Sequence, residues 1–269
     1  MIQPKMEFLS KSLIEQVIDE AYELLMDPGV VIHNDEALHL LDNAGVEVNF
    51  DRKIAKIPQK IVEKALNTVP SSFYLYDYDK QPKVHYGGND VHFAPASAAV
   101  KIFDLKTGKH RTAVTPDFIK WIKLVEGLSY LDSQSTSLVC NDVPKAVTDS
   151  YRVYLVLKYA KKPFITGIFG KSGFKVMKDL LVAIAGSEKD LADRPMAVFD
   201  ACPSPPLQWS DATAHSLINC ARYNIPSELI SMPLVGATAP ATILGSLVQH
   251  TAESFSGLVI NQLAKPGAP

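Results

Sequence analysis

The chain has 269 residues, of which 47% are hydrophobic and 21% charged, and a formal net charge of -2. That is the composition of a globular protein able to bury a sizeable core, and it offers no basic surface to draw in nucleic acid or an anionic membrane. Its three cysteines, Cys140, Cys202 and Cys220, form no CxxC pair, which argues against a disulfide framework or a cysteine-rich metal centre.

The N-terminal MIQPKMEFLSKS lacks the layout of a signal peptide. Apolar runs such as LLVAIAG and SGLVINQLA stop well short of the ~20 residues a membrane helix needs. A cytoplasmic protein is expected. The first 80 residues read as a helical region. Ser10 is placed to cap a helix with Leu13, Ile14, Val17, Ala21, Leu24 and Leu25 at helical spacing, and Pro28-Gly29 ends it. Asp35 caps a shorter helix stopped at Gly45, and Pro58 opens a third over QKIVEKALNTV. Between these two, VEVNFDRKIAKI reads as a short extended arm. Three such narrow apolar stripes cannot form a core alone, so the helices should pack on the C-terminal remainder of the chain.

From Phe73 to Lys109 the pattern turns to short extended runs. Gly87-Gly88, Asn89-Asp90 and Thr107-Gly108 suggest hairpin turns of a β-ribbon. The division expected is a helical region over residues 1–80, then a ribbon and a larger α/β part over 81–269. Thr115-Pro116-Asp117 starts a helix, and strands and helices then alternate: LDSQSTSLVC, AVTDSYRVYLVLKYA, KPFITGIFG, KVMKDLLVAIAG, RPMAVFDACPS, DATAHSLINCARYN, SELISMPLVG and ATILGSLVQHTAESFSGLVINQLA. This alternation implies right-handed crossovers and a parallel sheet. No GxGxxG and no GxxxxGKS/T follows a strand, so neither a Rossmann nor a P-loop nucleotide site has support. An open sheet and a (β/α)8 TIM barrel remain. A barrel takes roughly 250 residues, so a barrel built from residues 113–269 would be truncated.

In either fold the chemistry belongs at the C-terminal ends of the strands. Asn141, Phe169, Asp200, Trp209 and Thr238 each follow a strand and are candidate pocket residues. Phe169, Trp209, Tyr151 and Tyr154 could present ring faces to a cation, while ordinary core packing is the commoner fate of such rings. Cys202 has no histidine near it in sequence to act as a base, so an inert thiol is the better reading. Seven scattered histidines offer no HxH or HExxH, and no metal site is expected. Gly236 and Ala237 place small residues and backbone amides ahead of a helix, able to hold an anion or let a bulky partner approach; a tight turn is the equal alternative. Gln249 and Glu253 share a face of that helix, which on an outer helix is usually solvated. Arg152 and Arg222 read as helix residues facing away from the strand ends.

The segment LVGATAPATILGSLVQHTAESFSGLVINQLAKPGAP resembles the Gly-(Ala/Ser)-Thr-Ala-Pro…Gln-x-x-Ala-Glu…Gln-Leu…Pro-Gly-Ala-Pro stretch of the trimethylamine methyltransferase family. The stretches DPGVVIHNDEALHLLDNAGVEVNFDRKIAKIPQKIVEKALNTVP, FYLYDYD and VKIFDLKTGKHRTAVTPDFI agree with it. The resemblance implies a (β/α)8 barrel with an N-terminal helical part. It also implies methyl transfer from a methylated amine to the Co(I) corrinoid of a separate small protein, with no cofactor held tightly by this chain. The founding branch uses trimethylamine and carries a pyrrolysine at a position that would fall after Pro269; wider branches without it use quaternary amines such as glycine betaine, and that branch is expected here. Family members are longer, and Pro-Gly-Ala-Pro reads as the lead-in to another strand, so the chain is expected to be about the first half of a larger enzyme.

Within that reading Glu253 and Asp200 are the acidic candidates beside the cationic methyl donor, Gln249 would orient Glu253, and Gly236 and Ala237 would face the corrinoid. Exposed sheet edges would favour a homo-oligomer. Two other readings stay open: a truncated barrel serving only as an assembly module, and a barrel lyase. The lyase would need a Lys at a strand end, and Lys162 lies at a strand start.

Overall fold

A computed structural model of the chain describes residues 6–95 and 97–269. Ser10 caps α1 (Lys11–Met26) as expected, its Oγ accepting the Leu13 amide. The rest of the N-terminal region is less helical than its sequence suggests. It comprises β1 (Val30–Ile32), α2 (Asp35–Asn43), β2 (Glu47–Asn49), β3 (Ile54–Lys56) and α3 (Gln59–Leu66). The extended arm is a β2–β3 hairpin whose second strand pairs antiparallel with β1. Asn34 rather than Asp35 caps α2: its Oδ1 accepts the Ala37 amide at 2.9 Å, and Asp35 is already helical.

Two ribbons come next. β4 (Ser72–Tyr76) pairs with β5 (Pro82–Gly87), and β6 (Lys101–Asp104) with β7 (Lys109–Thr112). The second turns through Gly108 at φ +66°, in agreement with the Thr107-Gly108 signal. The first turns over residues 77–81, where the Gln81 amide donates to Asp77 Oδ1. Gly87-Gly88 ends β5 instead of making that turn.

The remainder runs α4 (Thr115–Gly127), β8 (Gln134–Ser135), α5 (Thr148–Tyr159), β9 (Phe164–Gly167), α6 (Lys171–Ala185), α7 (Glu188–Asp193), β10 (Ala197–Ala201), β11 (Gln208–Trp209), α8 (Asp211–Tyr223), β12 (Ser227–Leu229) and α9 (Ile243–Ala264). Strands β8, β9, β10 and β12 form one parallel sheet in chain order. The product is a mixed α/β fold, consistent with a (β/α) repeat. Alternation along the strands assigns their two faces. Phe164, Ala197 and Phe199 turn toward Phe174, Met177 and the α4–α6 core, while Ile165 and Val198 turn the other way, under Leu75 and Val84 of the first ribbon.

β11 lies in the Pro-rich loop after β10 and pairs with β1, so the N-terminal region and the sheet's own loop share one β-layer. A single core joins them, containing Leu25, Leu38, Leu41, Trp209, Leu217 and Ile260. α9 runs through it, packed by α8 on one side and by α1, α2 and α3 on others. Trp209 is therefore not a pocket wall. Its ring is fully buried, its Nε1 donates to Ser256 Oγ at 2.8 Å, and it lies on Gly257, where a Cβ would come within 2.5 Å of the ring. Gly257→Ala should accordingly cost about 1–3 kcal/mol by overpacking; a thermal melt matching the parent's would contradict that close fit. Among the described residues, no helix is long and apolar enough to cross a membrane.

Candidate functional site

The register of the sheet brings Gly167, Asp200 and Glu228 side by side on three neighbouring strands. They follow Ile165 and Val198 on the ribbon-covered face, one layer nearer the strand ends. With no side chain at Gly167, the Asp200 carboxylate lies over its backbone: a Cβ added there would sit 3.6 Å from Asp200 Oδ2. Among the described residues Asp200 Oδ1 is buried without a hydrogen-bond partner. Burial, reinforced by the Glu228 charge and opposed by Arg152, pushes the Asp200 pKa up to about 7. Glu228 is itself solvent-exposed, yet the sheet strips part of its hydration and raises its pKa too.

Arg152 enters from α5. Its side chain is completely buried; Nη1 donates to the Thr136 carbonyl at 2.7 Å and Nη2 to the Gly167 carbonyl at 3.4 Å. The guanidinium carbon sits 4.3 Å from the centroid of the Phe169 ring, a cation–π contact. Burial lowers the Arg152 pKa to about 10, with Asp149, Cys140 and Asp200 opposing the fall, so it stays protonated at neutral pH. Asp149, one turn earlier on α5, is also buried and accepts the Phe169 amide at 3.4 Å. Arg152 thus faces the strand ends, contrary to its reading as an outward residue. Arg222 does face outward, in an ion pair with Glu36 at 2.5 Å.

Phe169 is 56% exposed and has one face on Arg152. Cys202, two residues beyond Asp200, has its pKa pushed up to about 11 by burial and by the Asp200 and Glu228 charges. A thiol held that high is a weak nucleophile at neutral pH. Asn141 spends its Nδ2 on backbone carbonyls of Ala113 at 3.1 Å and Val139 at 3.0 Å, tying the second ribbon to the strand end.

The loop ahead of α9 is a self-bonded knot. The amides of Ala237, Thr238 and Ala239 all donate to the Leu234 carbonyl, and that of Gly236 to Ala239 and Pro240. The Gly236 and Ala237 amides, expected as possible anion ligands, are thus both donated within the loop itself. Thr238 Oγ1 accepts the Leu234 amide, an intra-loop role. Gln249 and Glu253 are buried, at 5% and 1% exposure, and not a solvated face. Tyr154 lines a groove of about 720 Å³ between the outer sides of α5 and α6, and none of its lining residues belongs to the Asp200 layer. Among the described residues no cluster of three or more His, Cys, Asp or Glu could hold a metal ion.

Of the expected positions, Phe169 stacks on Arg152, whose charge also acts on Asp200, while Asn141, Trp209, Thr238, Gln249 and Glu253 are engaged in hydrogen bonds within the protein. Arg152, Asp149 and Glu228 were missed. Glu228 had a signal in sequence, as the one charged residue within an otherwise uncharged strand, SELIS.

Parallel strands in chain order with helical crossovers, and a desolvated carboxylate and an aromatic ring at the strand ends, define an α/β protein of the (β/α)-repeat class. Within that class the chain belongs to the trimethylamine methyltransferase family, whose model matches residues 2–269. It is 30% identical over 247 residues to the trimethylamine methyltransferase MttB of Desulfitobacterium hafniense, covering 92% of this chain and 50% of that protein. With the trimethylamine methyltransferase MttB of Methanosarcina barkeri the identity is 31% over 251 residues, 91% of this chain and 51% of the relative. With the proline betaine:corrinoid methyltransferase of Eubacterium limosum it is 26% over 275 residues, 98% and 55%. The chain spans about half the length of these curated relatives.

Proposed function

We propose that the protein takes part in moving a methyl group from a methylated amine to a corrinoid carried by a partner protein, within a complete (β/α)8 barrel. Trimethylamine and quaternary amines such as glycine betaine are the substrate class, and the quaternary branch is the reading favoured here. The observation that carries it is the buried Asp200 carboxylate laid over Gly167, with Glu228 beside it on the next strand and the exposed Phe169 ring stacked on Arg152 nearby. A quaternary ammonium has no N–H to donate. It is held by charge and by ring faces, and the Asp200 oxygen without a donor fits such a ligand. A proline betaine enzyme is among the relatives, at 26% identity, beside trimethylamine methyltransferases at 30 and 31%.

A reduced corrinoid, when bound, supplies a nucleophile strong enough to displace an amine. The chain's own part is to bind the cation, orient its N–CH3 bond and exclude water, so that the amine departs with the bonding electron pair. The rim fits a flat, uncharged macrocycle brought by a partner. Met232, Leu234 and Val235 are exposed there, and nothing lies within 4 Å of where a Cβ on Gly236 would be, leaving Gly236 and Ala237 open to approach.

The test combines the protein, as its gene encodes it, with a reduced corrinoid protein and trimethylamine, glycine betaine, carnitine or proline betaine. Demethylated amine is followed by NMR. Formation of dimethylglycine from glycine betaine is the expected result; no demethylation of any of the four would refute the proposal.

A further inference from the structure

Among the described residues, a well-connected buried carboxyl group lies not at the strand-end layer but in α9. Glu253 Oε1 accepts the Leu207 amide at 2.9 Å and Gln249 Nε2 at 2.9 Å, and Oε2 accepts the Ser231 hydroxyl. The second proton of Gln249 Nε2 goes to the Thr238 carbonyl at 2.9 Å. Every donor that reaches the Glu253 carboxylate is uncharged, and the residue is 1% exposed. Burying a carboxylate without a cation is costly unless several hydrogen bonds satisfy it. Here they come from three different segments: Leu207 in the loop after β10, Ser231 after β12, and Gln249, which grips the knot at residues 234–240.

From this geometry we infer that Glu253 is a positioning residue, whose carboxylate and Gln249 clasp the loops after β10 and β12 and so set the rim of the strand-end site. It holds that rim from behind and does not touch the amine. A side chain with acceptor oxygens is required because Leu207 and Gln249 bring only N–H donors to the same point. That the rim borders a binding site rests on the proposed function; the clasp itself does not.

Amide hydrogen exchange and calorimetric amine binding, on the protein as its gene encodes it, separate the possibilities. Glu253→Leu removes both acceptors and should speed exchange in residues 203–209 and 234–240 by about tenfold or more, with α4–α6 unchanged. Glu253→Gln keeps one acceptor for Leu207 and Gln249 and should restore most of that protection. Gln249→Leu should loosen 234–240 alone, which keeps the test valid if Glu253→Leu does not fold. In the binding arm, the glycine betaine Kd should rise in parallel with exchange across these variants. Two results would overturn the inference: exchange in both loops unchanged in Glu253→Leu and Gln249→Leu, or binding lost in Glu253→Gln while its loops stay protected, since the charge would then act on the ligand directly. The exchange arm reads the clasp even where no methyl transfer is found.

Discussion

Asp200→Asn should raise the melting temperature above pH 7 and, in the same protein, weaken binding of a quaternary amine at least about tenfold. Both effects follow from one buried carboxyl. In the folded chain burial holds its pKa at about 7, whereas the ordinary value is 3.8. Between those values the folded protein keeps a proton that the unfolded chain has released. Stability from this group is therefore complete below the lower value, declines as pH rises, and is lost above the upper one. The penalty is on the order of a few kcal/mol at most. Asn cannot ionise and escapes it, so the gain in melting temperature should be present at pH 8 and small at pH 4. Cation binding runs in the opposite sense. The ionised carboxylate attracts the ammonium, so affinity of the parent protein should climb through pH 7 while that of the variant stays flat. Calorimetric melts and titrations with glycine betaine at pH 4, 7 and 8 give both readouts. An equal shift in melting temperature at pH 4 and pH 8 would remove the burial argument, and unchanged affinity would remove Asp200 from the site.

Arg152→Met should be the most damaging single change, lowering stability by about 3–5 kcal/mol. Met fills much of the same space but cannot donate to the Thr136 and Gly167 carbonyls, and it leaves the buried Asp149 without its neighbouring cation. Phe169 loses the guanidinium it rests on, so its ring should also become more mobile. Arg152→Lys retains the charge but not the planar fork, and should recover only part of the loss. Denaturant midpoints of the two variants, with ring-proton NMR of Phe169, check this. A midpoint for Met equal to or above the parent's would mean that the two carbonyls find other donors.

The periodic alternation of strands and helices after Thr115 was open to reading because each short strand sits between a capped or Gly-ended helix and a turn, and period is a local property. Ser10, Pro58 and Gly108 were legible for the same reason: their effects reach no further than four residues. Asp200 was legible as a charge emerging from an apolar strand, and Phe169 as an aromatic at a strand end. Glu253 and Gln249 were not. Their burial depends on the loops after β10 and β12, which bring Leu207, Ser231 and Thr238 onto α9 only in the folded chain. Trp209 follows the same logic, since the partner that makes its loop a strand is β1.

Local chemistry, then, determined the class of fold, the element order and the strand-end location of the site, because caps, turns and side-chain alternation act between near neighbours. Tertiary structure alone decided which polar side chains meet a ligand and which hold the frame. A helix wrapped on several sides has no outer face, so the amphipathic pattern that marks solvent in a two-layer fold loses its meaning there. Whether a carboxylate on it is a surface group or a buried clasp is set by donors such as Leu207 and Ser231, brought to it only when the chain has folded.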